Sequence, residues 1–294
     1  MTIYKQLVAT LFLSQVWLAG CSQQNEHFNA LPAAVIESSG LVCRPSQQFL
    51  TINDSGNPAI IWTLNAQGKI QAQTQSQQAN KDWEALASDG KSLFVGDTGN
   101  NSGRRNGGEI YQYQLADWPK TTFVRTISYQ FADYPEQSPL PYQHDFDIEA
   151  MANRGTELLL FSKSWRGGAT KVYQVAIHTS ERQVLKPIAQ IDNLPGIVTD
   201  AVWSERHQIY LLTGYANFQQ NLFSMLLSGN WSPFIVALDE KFEVKSVRRL
   251  PNVGQLEAIC IDEHDDIWLS QEQYKQSPAR LWRFGSVNSL FDSQ

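Results

Sequence analysis

The chain has 294 residues, 42% of them apolar, 18% charged and 11% aromatic, a globular composition that excludes an intrinsically disordered protein. Its formal charge is −6 at pH 7 and its Lys and Arg form no stripe, which excludes a nucleic-acid partner held by a basic footprint. The length allows one large domain or two small ones.

Residues 1–20 carry one Lys, an apolar run from Leu7 to Ala19 and then small residues, the pattern of a secretory signal. The stretch Leu18-Ala19-Gly20-Cys21 resembles a bacterial lipobox. The resemblance implies cleavage before Cys21 and lipidation of that cysteine, so that a lipid anchors the chain to a membrane. An ordinary signal followed by a chance cysteine is the alternative. Ser22, not Asp, comes next, which by resemblance to sorted lipoproteins implies the outer membrane. Residues 21–29 read as a polar, lipidated tether and residues 30–294 as a single folded domain. No later segment has the run of about 18 apolar residues that a spanning helix needs.

Beyond the tether one unit recurs. Its first copy opens at Ser39-Gly40-Leu41 and continues through apolar runs at 49–52 and 60–64. The second opens at Glu84-Ala85-Leu86, with runs at 93–95 and 110–113. The third opens at Glu149-Ala150-Met151, with runs at 158–161 and 172–175. The fourth opens at Asp200-Ala201-Val202, with runs at 209–212 and 234–238, and carries an insertion at about 216–232. The fifth opens at Glu257-Ala258-Ile259, with runs at 267–269 and 281–284. The opening words are 45, 65, 51 and 57 residues apart.

β-Branched and aromatic residues fill these runs, and Gly, Asn, Asp and Ser separate them. Each unit is therefore predicted to be a small antiparallel sheet of three or four strands. Such a sheet cannot bury its faces alone, and radial stacking of such sheets is a β-propeller. The reading is an all-β propeller of five blades, with six the alternative if the interval between Glu84 and Glu149 hides another. The last copy lacks a strand. Residues 28–36 are predicted to supply it, closing the ring and removing free edges.

Cys43 and Cys260 fall in the first and last blades, which are neighbours in a closed ring. They form either a disulfide that locks the ring or two buried thiols. Packed sheets stand about 10 Å apart, too far for a disulfide unless the blades converge near the axis.

The first strand of a propeller blade lies innermost. Ser39, Glu84, Glu149, Asp200 and Glu257 are therefore predicted to ring one mouth of the central channel, and the four acids are candidate metal ligands. Loops after the second strands return to the same mouth. They bring Asp54, Asp97, Asn100, Lys163 and Glu272 as candidate ligand-binding residues. Crowded carboxylates raise one another's pKa, and a cation, a base such as Lys163 or backbone N–H donors relieve them. An oxygen-rich set suits Ca²⁺, and no His or Cys set suits zinc. His144 reads as a solvated loop side chain, and Arg104 and Arg105 as part of a flexible loop, with an anion such as phosphate the alternative for the arginines. Acids that only tie neighbouring blades through backbone N–H groups would repeat in the same way, so that reading stands beside the ligand site.

The words ESSGL, DWEAL, DIEAM, VTDAVW and QLEAI, with Lys163 in LLLFSKS, resemble the SdiA-regulated (YjiK-like) β-propeller family over residues 35–285. NDSG and GDTGNN are also similar to secreted bacterial propellers of the esterase-like and phytase group. The resemblance implies a periplasmic or surface propeller of five or six blades, with calcium, and no assigned reaction. Ser39 departs from the pattern, so the acid ring is incomplete in the first blade. The His and Asn pattern of metal-dependent propeller lactonases is not recognisable.

The function expected is an envelope binding module for an unknown small ligand or envelope protein, with a cation or polar ligand at the mouth. The alternatives are a metal-dependent hydrolase of a phosphoester or lactone, and an envelope scaffold with purely structural acids. No Gly-x-Ser-x-Gly elbow supports a serine hydrolase.

Overall fold

Five antiparallel sheets stand radially around one axis in the computed structural model of the chain, which describes residues 28–166, 169–216, 231–251 and 253–292. The expected signal, the expected lipidation site Cys21, most of the tether and most of the insertion at 216–232 lie outside the described residues.

The first blade comprises Ser38–Arg44, Gln48–Asn53, Ile60–Asn65 and Ile70–Gln75, in that order from axis to rim. The second comprises Trp83–Ser88, Ser92–Asp97, Gly108–Gln114 and Thr122–Phe131. The third comprises Ile148–Arg154, Glu157–Ser162, Ala169–Ala176 and Ala189–Asp192. The fourth comprises Ile197–Ser204, Ile209–Tyr215, Phe234–Asp239 and Val244–Arg249. The fifth takes Leu256–Ile261, Asp266–Gln271 and Arg280–Ser286 from the C-terminal end of the chain. Its outer strand is Asn29–Ala30, paired with Leu281 and Arg280, so the N-terminal segment closes the ring as the sequence predicts. The closing strand is shorter than residues 28–36, because Ala33–Val35 turn into a 3₁₀ helix.

No sixth blade fills the long interval between Glu84 and Glu149. That length goes into the ten-residue outer strand Thr122–Phe131 and the connection after it. The same strand gains a parallel partner, Gln183–Leu185, lent by the chain of the third blade.

Burial follows position. The inner strand Trp83–Ser88 is buried over its first five residues, whereas the outer strand Ile70–Gln75 alternates toward solvent. Each seam between neighbouring blades has its own apolar core, including the seam between the fifth and the first, where Leu281 and Trp268 meet Phe49 and Leu64. Stacking thus supplies the burial that no blade achieves alone.

Cys43 and Cys260 form a disulfide between the inner strands of the first and fifth blades, with Cα atoms 5.5 Å apart. The blades converge near the axis, which brings the two strands far closer than the usual sheet spacing. The reading as two buried thiols is thereby set aside.

Candidate functional site at the channel mouth

In every blade the pairing of the first two strands slips by one residue at the repeated word. The slips fall between Ser39 and Leu41, Trp83 and Ala85, Ile148 and Ala150, Val198 and Asp200, and Leu256 and Ala258. A β-bulge leaves one residue unpaired and re-aims its side chain. In three blades that extra residue is the acid: Glu84, Glu149 and Glu257. Thus the carboxylates recur at one place because the backbone is bulged there.

The other two blades use the bulge differently. In the first, the extra residue is Gly40, whose φ of +64° favours glycine and whose added Cβ would lie 2.6 Å from the backbone N of Leu86. Beside it Ser39 donates to the Glu84 carbonyl at 2.6 Å, tying the first blade to the second. In the fourth, the extra residue is Thr199, which donates to the Leu256 carbonyl at 2.7 Å. Asp200 then pairs in register and accepts from the N–H groups of Ala201 at 2.8 Å and Ile259 at 2.9 Å. Burial pushes its carboxyl up, and these donors oppose the shift. Asp200 is therefore an anchor between blades, and its expected role as a metal ligand is corrected: its oxygens are spent on backbone.

Lys163, just after the second strand of the third blade, is buried, and its Nζ lies 2.9 Å from Glu149 Oε1. Burial pulls the ammonium pKa down, but Glu149, Tyr215, Glu257 and Glu84 face it and hold it well above its usual value. Burial pushes the Glu149 carboxyl up, and Lys163 pulls the other way. Glu257 is raised to about 8 and Glu272 to about 7, by burial first and by neighbouring acids next. Lys163 thus sets Glu149 apart as its ion-pair partner, and the four ring acids do not form one ligand set.

The acidic cluster that does form is Asp54, Asp82 and Glu84. One carboxylate oxygen from each lies within 4.8 Å of the others, the only such acidic triplet among the described residues. Asp54 follows the second strand of the first blade, Asp82 precedes the inner strand of the second, and Glu84 is its bulge residue. Glu84 is 3% exposed and its Oε1 has no hydrogen-bond partner. Burial, then Glu149 and Asp54, push its carboxyl well above the usual range. Asp82 is raised to about 6 by burial and by Asp147 and Asp54. Gly99 makes this approach possible, since an added Cβ would stand 2.5 Å from Asp82 Cγ and 2.7 Å from Glu84 Oε1. Three hard oxygens, one buried and unpartnered, with unfavourable mutual charge, are the donor chemistry of a Ca²⁺-type site.

Other predicted residues are placed otherwise. Asp97 is wholly buried, with Arg105 Nη2 at 2.8 Å and the Tyr111 hydroxyl at 3.1 Å, so it braces its own blade. Asn100 spends its amide on Arg105 and on the Phe146 carbonyl. Both are engaged in ordering the loop rather than brought into the acidic cluster. Arg105 is likewise held inward on the carbonyls of Gly99 and Asp97 rather than in a flexible loop, while Arg104 is exposed. His144 is 2% exposed, not solvated; it stacks on Phe146 and accepts from the Phe146 N–H at 3.2 Å.

Sequence reasoning missed Asp82, although it opens the repeated word two residues before Glu84, as Asp147 does before Glu149. It also missed the aromatic residues. Trp165, Ile197, Tyr215 and Trp231 form a separate apolar cluster at the mouth, packed by Tyr274. Trp165 is fixed by donation from Nε1 to the buried Asp147 at 2.6 Å. Ile197 and Tyr215 stand at the ends of their strands and Trp165 and Trp231 lie outside any strand, where no periodicity marks them.

No protein-family model and no curated protein matches the chain. Among solved structures it is similar to a protein of unknown function from Bacteroides caccae, at 11% identity and TM-score 0.46 over 85% of this chain and 78% of that one. A Thermus thermophilus protein provisionally described as an oxidoreductase (glucose dehydrogenase) aligns at 8% identity and TM-score 0.48, over 88% and 99%. Streptogramin B lyase aligns at 10% identity and TM-score 0.41, over 89% and 72%. At these values the similarities carry no argument about activity.

Proposed function

We propose that the protein is a lipid-anchored envelope propeller, a binding module whose channel mouth holds a Ca²⁺-type cation on Asp54, Asp82 and Glu84. One observation carries the reading: three carboxylates from two blades converge, and the most buried of them, Glu84, has an oxygen with no partner. Like charges held so close without a bridging cation destabilise the fold or take up protons. Glu149 is drawn away by Lys163 and Asp200 by backbone, so the cation belongs on one side of the mouth, not on the axis. The words around Gly40, Glu84, Glu149, Asp200 and Glu257 support kinship with SdiA-regulated propellers, and Leu18-Ala19-Gly20-Cys21 supports the anchor and the outer membrane. The test is a calcium titration followed by melting temperature. A cation that binds only the folded state raises it by mass action, and Glu84→Gln removes the rise. An unchanged melting temperature in the wild type would refute the cation.

A further inference from the structure

We infer that the mouth carries a second site, beyond the cation: an aromatic-walled pocket for a neutral, saccharide-like ligand. The cavity is about 460 Å³, within the range of roughly 300–1,000 Å³ found for small-molecule sites. Its walls include Tyr142 and Trp165 on one side and Tyr215 and Trp231 on the other. Each pair meets edge to face, at 5.0 and 5.2 Å between centroids, so the rings brace each other. The Trp231 backbone is held by the N–H of Ala216 at 2.9 Å, next to Tyr215. Flat, rigid, apolar walls suit the C–H faces of a sugar ring.

Two residues of the cavity wall each carry an unspent polar atom. Trp231 Nε1 and Asn101 Oδ1 are buried and have no hydrogen-bond partner, one a donor and the other an acceptor. A buried Trp N–H ordinarily finds a partner, and leaving either group bare is costly. Hydroxyl groups both accept, as a Trp N–H requires, and donate, as an amide oxygen requires, which makes a polyol the matching chemistry. Charge then decides among ligands. Among the described residues Lys163 is the one charged residue in the wall, and Glu149 at 2.9 Å compensates it, which disfavours an anion. The same ammonium lies 4.8 Å from the centre of the Trp165 ring and takes up the face that an organic cation would need. A neutral ligand remains.

The test is isothermal titration calorimetry of the intact protein with maltose, cellobiose, N,N′-diacetylchitobiose and, separately, tetramethylammonium. Chelator is present throughout, so the outcome is independent of any cation. The expected result is saturable heat with at least one saccharide and none with tetramethylammonium. Trp231→Phe keeps the ring and loses the donor, and Asn101→Ala loses the acceptor. Each weakens the saccharide by about tenfold, the equivalent of one hydrogen bond. Val124→Ser, on the exposed rim of the second blade, leaves it unchanged. The proposal is overturned if no saccharide binds, if tetramethylammonium binds in their place, or if both pocket variants bind saccharide like the wild type.

Discussion

Lys163 Nζ sits 2.9 Å from Glu149 Oε1, and the two side chains are only 10% and 3% exposed. A buried pair of this kind is costly to break, because the partner left behind keeps an uncompensated charge. Lys163 also faces Glu84 and Glu257, whereas Glu149 has Lys163 as its cation. Lys163→Met is therefore expected to cost about 3–5 kcal/mol in urea unfolding. Glu149→Gln should cost less, and the double variant should recover part of the Lys163→Met loss. A double-variant loss equal to the sum of the two single losses would mean that the pair is not coupled.

Stability should depend on pH with an unusual sign. The carboxyls of Asp82, Glu272 and Glu257 are raised to about 6, 7 and 8, above ordinary carboxylates near pH 4. Between those limits the folded chain binds more protons than the unfolded chain. Its stability therefore falls as pH rises from about 4 to about 8, and is fully kept below the unfolded value. Melting temperature in chelator, scanned across that range, measures the fall. Calcium should offset it, with the larger effect at the alkaline end, because binding displaces protons. A melting temperature that rises steadily toward pH 8 in chelator contradicts this.

Gly99 gives a test that leaves every acid in place. Its added Cβ would press on Asp82 Cγ and Glu84 Oε1, at 2.5 and 2.7 Å. Gly99→Ala should weaken calcium by at least about tenfold, since a ligand set tolerates little displacement. Its stability in chelator should change by much less than that of Lys163→Met. Calcium binding equal to the wild type would show that the two acids do not act at this place.

The disulfide joins the two ends of the ring. Cys43 and Cys260 are 217 residues apart in sequence, so the bond constrains most of the unfolded chain. Cys43→Ser is expected to cost about 2–5 kcal/mol in denaturant unfolding. Under non-reducing conditions, peptides containing Cys43 and Cys260 should be recovered as one linked species. Their recovery as separate thiols would contradict the bond.

Much of the fold is legible in the sequence because it repeats. The acid-Ala-apolar words at Glu84, Glu149 and Glu257 mark inner strands, and the shortage of one strand after Glu257 points to closure by the N-terminal segment. The site is less legible, since it depends on where each bulge falls. One residue of shift makes Glu84 an available ligand and Asp200 a backbone anchor, and no local pattern distinguishes them. Asp97 and Asn100 look like ligand residues in a polar loop, yet Arg105 from the same loop consumes both. Trp165, Tyr215 and Trp231 meet only through the closure of neighbouring blades, a relation that single-chain spacing does not encode.

Calcium calorimetry on the intact protein near pH 8 tests the central claim most directly. With Asp54, Asp82 and Glu84 as the ligand set, the wild type should bind one calcium per chain and release protons on binding. Glu84→Gln and Asp82→Asn should each abolish that site, while Glu257→Gln leaves it. No saturable calcium binding, or binding that survives both of the first two variants, would contradict the account.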